Sequence, residues 1–175
     1  MSADAFDEIV STLDPALIVV TAAAGAERGG CLVGFHTQSG IEPHRYCVWL
    51  SKANHTYRIA LRATHLGIHF LTEQDMSLAE LFGTCTGDEI DKFADLDVLD
   101  GPGNAPVLGA CPHRLVARVT AILDERADHV CIATEPVSAT HDGAFRPLRL
   151  SQAAHLDPGH HSQERNSPPT ERAGS

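Results

Sequence analysis

Lysine is nearly missing from this chain: of 175 residues only Lys52 and Lys92 are lysines, and arginine supplies the rest of the 13 cations that face 23 acids. The resulting net charge of -10 excludes a general binder of nucleic-acid backbones, which needs a basic face to displace counterions. It also makes anionic membranes poor partners. Long apolar runs are absent, and none approaches the roughly 20 residues that span a bilayer. The acidic first turn of sequence lacks the basic start and apolar core of a secretory signal. The expectation is a soluble, cytoplasmic protein with no nucleic-acid and no membrane partner.

Paired cysteines are missing too. Cys31, Cys47, Cys85, Cys111 and Cys131 are scattered and odd in number, with no CxxC among them, so buried free thiols are expected. His65 and His69 have the spacing of metal ligands on a helix, yet their surroundings alternate like a strand. Cys111-Pro112-His113 has no second ligand pair beside it, and no metal is expected. No G-x-G-x-x-G follows a strand, and neither G-x-S-x-G nor a Walker sequence occurs. These absences exclude a Rossmann nucleotide site, a hydrolase nucleophile elbow and a phosphate loop.

With 43% hydrophobic residues, the chain can bury one substantial core. Phe6, Ile9, Val10 and Leu13 recur at helical spacing within residues 1–13. The β-branched run at 16–22 reads as a strand buried on both faces. Gly25 and Gly29-Gly30 bracket a turn, and 31–38 reads as the second strand of a hairpin. Further strands are expected at 45–50, 66–71, 115–123 and 129–137, with helices at 55–63 and 76–82. Residues 83–113, rich in glycine and proline, read as loop. Antiparallel hairpins with few helices give a fold class of mainly β with α additions. One domain over residues 1–156 and a disordered tail over 157–175 are expected.

The order of features then resembles one family. A strand ending in VVTA, a glycine turn, a strand ending in an aromatic, a Glu-Pro step and an apolar third strand come first. A polar Ser-x-x-x-x-Thr-Tyr segment opening a helix, a Lys-Phe pair and a late Asp-His follow. This is similar to the flavin reductase-like proteins, with their FMN-binding split β-barrel, an antiparallel Greek-key-like barrel. The resemblance implies NAD(P)H-dependent reduction of FMN or FAD, with NADH or NADPH as hydride donor. A homodimer and a monooxygenase partner that takes the reduced flavin are implied as well.

The resemblance also assigns residues. Cys31, Leu32, Val33, Gly34 and Phe35 would lie along the flavin ring, read by backbone groups because Gly34 permits close approach. Ser51, Lys52, Ala53, Asn54, Thr56 and Tyr57 would hold the flavin phosphate at a helix start, where unpaired N–H groups favour anions. Lys92, Phe93 and His129 would face the nicotinamide, with His129 positioning it. Here Ala127 stands where the family commonly has glycine before Asp128-His129. Split barrels also accommodate the deazaflavin F420, and a carrier of flavin or haem without turnover remains a second possibility.

Overall fold

The computed structural model describes residues 3–157, so all but the first residue of the expected tail lies outside the described residues. In chain order the elements are α1 (Ala3–Ser11), β1 (Ile18–Ala24), β2 (Glu27–Val33), β3 (His36–Ile41), β4 (His44–Ser51), α2 (His55–Ala60), β5 (His65–Phe70) and α3 (Met76–Thr84). Then follow β6 (Val98–Asp100), β7 (Pro106–Leu108), β8 (Arg114–Leu123) and β9 (His129–Thr140). Seven strands form one antiparallel sheet in the order β2-β1-β5-β8-β9-β4-β3, and β6 pairs with β7 alone.

The sheet curls on itself. Only residues 34 and 35 separate β2 from β3, yet these two strands stand at opposite ends of the strand order, and the Trp49 N–H of β4 donates to the Phe35 carbonyl at that junction, at 2.9 Å. This is the split barrel, mainly β with added helices, that the sequence leads one to expect. β1 is buried throughout its centre because both of its faces are covered. Ile18, Val20 and Ala22 pack into the barrel interior with Val48, Leu50, Ile59, Leu66 and Ile132. Val19 faces a second core with Leu71, Phe82, Phe93, Leu108 and Leu148.

The second strand differs from its expected place. β2 runs over Glu27–Val33, and the chain turns at Gly25, which has φ 62, so Gly29 and Gly30 sit inside the strand. Their role is packing. A Cβ at Gly29 would lie 2.9 Å from Ile59 Cδ1 of α2, and one at Gly30 would lie 2.5 Å from Phe82 Cε1 of α3. Successive residues point to opposite faces of a strand, so this glycine pair lets one helix close on each side of β2. Residues 36–38, expected to extend the same strand, begin β3 and pair with β4 across a turn holding the cis Glu42-Pro43 bond. Helix α2 also ends at Ala60, earlier than the expected 63.

The segment 83–113 is not only loop. It carries the β6–β7 pair and buries Lys92, Phe93, Ala105, Val107, Leu108 and Cys111. Its glycines and prolines shape a cover for a sheet face that would otherwise meet water. Two buried side chains fasten that cover: Thr21 Oγ1 donates to the Pro106 carbonyl at 2.5 Å, and His69 takes the Leu108 N–H at 3.0 Å. Among the described residues no group of His, Cys, Asp and Glu is placed to hold a metal ion, and no helix is long and apolar enough to cross a membrane.

His69 is fully buried, and its two nitrogens have opposite duties. Nδ1–H donates to the Val19 carbonyl at 3.1 Å while Nε2 accepts from Leu108, which requires the neutral ring. Burial pushes its pKa from 6.5 down to about 4. The unfolded chain therefore binds a proton that the fold refuses, so this contribution is complete above pH 6.5 and is lost as pH falls toward 4. Stability should drop by about 2 kcal/mol between pH 6.5 and pH 5 from this group alone. Urea midpoints across that window test it: His69→Leu should lack this part of the slope, whatever its baseline.

Candidate functional site

A cleft of about 480 Å³ opens along the split of the barrel, between the end of β2 and the end of β4. Cys31, Leu32, Val33, Gly34 and Phe35 form one side, Trp49, Leu50, Ser51 and Asn54 another, and His129 enters from the start of β9. Three segments far apart in sequence meet there because β4 pairs with β9 through Ser51 and His129, while the Phe35–Trp49 hydrogen bond draws β2 alongside. Residues 34 and 35 join β2 to β3 beside the cleft, and the Phe35 carbonyl is taken by the Trp49 N–H.

The ends of the cleft differ. At one end Ser51 Oγ accepts from the Ala53 N–H at 3.3 Å and Asn54 Oδ1 accepts from the Thr56 N–H at 3.1 Å, capping α2. Both side chains keep a donor, the serine O–H and the amide NH₂. At the other end Pro15, Leu17, Leu150, Ala153 and Leu156 make an apolar wall, with Phe82 and Gly83 of α3 beside it. His129 is oriented from two sides. Its Nδ1 lies 3.0 Å from Asp128 Oδ1, and the Phe35 ring meets it edge-on with centroids 5.1 Å apart. That hydrogen bond holds the Asp128 carboxyl below the usual carboxylate range. Cys31 is no nucleophile, since burial pushes its thiol up to about 11.

Not every residue proposed from sequence reaches the cleft. Lys52 bonds Asp124 at 2.8 Å, and its N–H holds the Asp128 carbonyl. Ala53 and Thr56 are buried behind the loop, and Tyr57 packs against the barrel core. Lys92 and Phe93 border a second, more polar hollow of about 380 Å³ with Arg28 and residues 87–91. There Lys92 Nζ donates to the Gly30 and Phe82 carbonyls at 3.1 and 3.2 Å, tying β2 to α3, and burial lowers its pKa. Phe93 is 3% exposed, under the Arg28 guanidinium. Trp49, Phe82 and the wall from 150 to 156 were not foreseen. Of these only Trp49, the sole tryptophan, offered a signal in the sequence.

Comparison with known proteins agrees with this architecture. An oxidoreductase from Sinorhizobium meliloti 1021 superposes with a TM-score of 0.73 at 21% identity, over 85% of this chain and 51% of that one. This chain thus spans about half the length of that protein. An NADH:FAD oxidoreductase of Streptomyces globisporus gives 0.71 at 16% identity, over 84% and 89% of the two chains. The flavin reductase HpaC, solved in complex with NADP+, gives 0.73 at 17% identity, over 85% and 92%. The match to the flavin reductase like domain runs over residues 11–155, which contains nearly all of the cleft. The chain therefore belongs to the flavin reductase-like family.

Proposed function

We propose that this protein binds FMN in the cleft along the barrel split and reduces it with NADH or NADPH. The observation that carries the reading is the convergence of residues 31–35, Ser51, Asn54 and His129 on one cleft. The residues fit a flavin. A planar ring needs apolar faces and polar edges, and the cleft offers Leu32, Trp49 and Phe82 beside the polar side chains of Ser51, Asn54 and His129. The family membership and the nicotinamide named for two structural relatives support the same chemistry.

Bound flavin supplies the ability to accept a hydride from a nicotinamide at its N5 and to pass the electrons on. The chain's own work is placement. Gly34 lets the backbone approach the ring. Ser51 and Asn54 donate to the phosphate end through the serine O–H and the amide NH₂ that capping leaves free. His129, with Nδ1 engaged by Asp128, presents Nε2 for the nicotinamide, and no acid or nucleophile is required. A homodimer fits the exposed apolar residues Phe6 and Ile9 of α1 and Leu13 just after it, and delivery of reduced flavin to a monooxygenase is the implied use.

Titration of the flavin-free protein with FMN, FAD and F420 tests the reading. FMN should bind, and Asn54→Ala should weaken it by about tenfold, the loss of one hydrogen bond to an anion. Lys52→Ala should do less, because Asp124 already engages the ammonium. Equal FMN affinity in wild type and both variants would remove the phosphate from this end of the cleft. Preference for F420, or flavin that stays oxidised on mixing with NADH and NADPH, would replace the reductase assignment.

A further inference from the structure

Leu150, Ala153 and Leu156 of the cleft's apolar end wall come from a strap, residues 147–156, laid across the barrel after the last long strand. Pro147 bridges Thr72, and the Leu148 N–H donates to the Leu71 carbonyl at 2.9 Å. The Leu148 carbonyl accepts from the Leu17 N–H at 2.8 Å, and its side chain is buried in the second core. Past the Leu150 N–H, which donates to the Pro15 carbonyl at 3.0 Å, no strand ladder continues. A 3-10 turn, Leu150–Ala153, then carries Leu150 and Ala153 into the cleft, with Leu156 just beyond.

That turn is held by Asp14. Its carboxylate accepts from the Ser151 N–H at 2.7 Å and from Ser151 Oγ at 2.8 Å, and its backbone carbonyl accepts from the Arg149 guanidinium at 3.3 Å. The two Ser151 hydrogen bonds keep the carboxyl below the usual carboxylate range, so both are charge-assisted at neutral pH. Asp14 has φ 43, a left-handed conformation that aspartate, asparagine and glycine adopt more readily than other residues. Within the turn Gln152 Oε1 accepts from the Arg149 N–H at 2.8 Å, while the ties outward to α3 and its approach, Gln152 to Glu73 at 3.3 Å and His155 to Glu80 at 4.0 Å, are looser.

The geometry points to Asp14 as a positioning residue: a clasp outside the cleft that holds the strap as its end wall and so sets how long a flavin stays bound. The inference rests on the flavin reading of the cleft. A ring seated against Leu150, Ala153 and Leu156 leaves more readily when that wall yields, and changes of this kind appear in the dissociation rate. Asp14 itself does not line the cleft.

The test is the rate of FMN release from the loaded full-length protein, followed by the return of flavin fluorescence, in wild type, Asp14→Gly, Asp14→Asn and Ser151→Ala. Glycine keeps the left-handed turn and removes the carboxylate, so release should quicken by about tenfold. Ser151→Ala should show a smaller increase. Asparagine, which keeps the turn, an acceptor for the Ser151 N–H and a donor for its hydroxyl, should restore slow release. Hydrogen exchange in Asp14→Gly should rise at residues 148–156 and stay unchanged in β5, β8 and β9. Equal release from wild type and Asp14→Gly overturns the clasp. So does faster release with exchange raised throughout the barrel and no rescue by asparagine. A wild type that takes up no flavin overturns the reading of the cleft instead.

Discussion

Gly67→Ala should destabilise the protein by about 3–5 kcal/mol, although the change adds a single methyl group. Gly67 lies in the middle of β5, between β1 and β8. A Cβ there would run into Thr21 Oγ1, come within 2.7 Å of the Pro106 carbonyl oxygen and lie 2.9 Å from His69 Cε1. None of the three can retreat. Thr21 and Pro106 are bonded to each other at 2.5 Å, and His69 is fixed through both nitrogens to Val19 and Leu108. Alanine in place of glycine within a strand gains about 0.5–1 kcal/mol from the unfolded chain. Overpacking costs about 1–3 kcal/mol, and leaving the Thr21 hydroxyl or a His69 nitrogen unpaired in the interior costs about 1–3 kcal/mol more for each. The balance, a loss of about 3–5 kcal/mol, is a large part of the 5–15 kcal/mol typical of a domain. A urea midpoint close to that of wild type would mean that the β6–β7 cover is not seated as described.

Gly34→Leu should do the opposite, keeping the fold and losing the ligand. The nearest atom to a Cβ at Gly34 is Leu17 Cδ2 at 3.7 Å, an ordinary contact. Both residues line the cleft, so the added isobutyl group grows into the space assigned to the flavin ring. FMN affinity should fall at least 100-fold, about 2.7 kcal/mol, while the urea midpoint moves by an amount worth only about 0.5 kcal/mol. Gly34→Ala, whose methyl fits at contact distance, should bind with an intermediate loss. Undiminished binding by the leucine variant would place the flavin elsewhere on the molecule.

These two glycines show what the sequence discloses and what it hides. β1 was legible because a β-branched run buried on both faces has few other uses, and β8 with β9 because a polar turn separates two apolar strands. Gly29 and Gly30 misled because glycine reads as a turn unless one knows that two helices press on the strand. The segment 83–113 misled for a related reason: its prolines and glycines shape a buried cover, and tertiary hydrogen bonds from Thr21 and His69 supply what periodicity does not reveal. In the cleft, the order of motifs drew attention to 31–35, Ser51, Asn54 and His129. Lysine rarity pointed at Lys92, whose ammonium holds two backbone carbonyls inside the fold. The strap at 147–156 could not be anticipated, since nothing local in it marks the wall of a cleft built from residues a hundred positions earlier.

The closure of α2 and α3 over the glycine pair also bears on self-association. β2 is a terminal strand of the sheet, the kind of border at which another polypeptide could add by backbone pairing. A newcomer must settle about 4.8 Å from it, yet a helix with its side chains is about 10 Å across and stands on each face of that strand. Ile59 and Phe82 thus flank the border on its two faces, and an added strand would have to fit between the two helices.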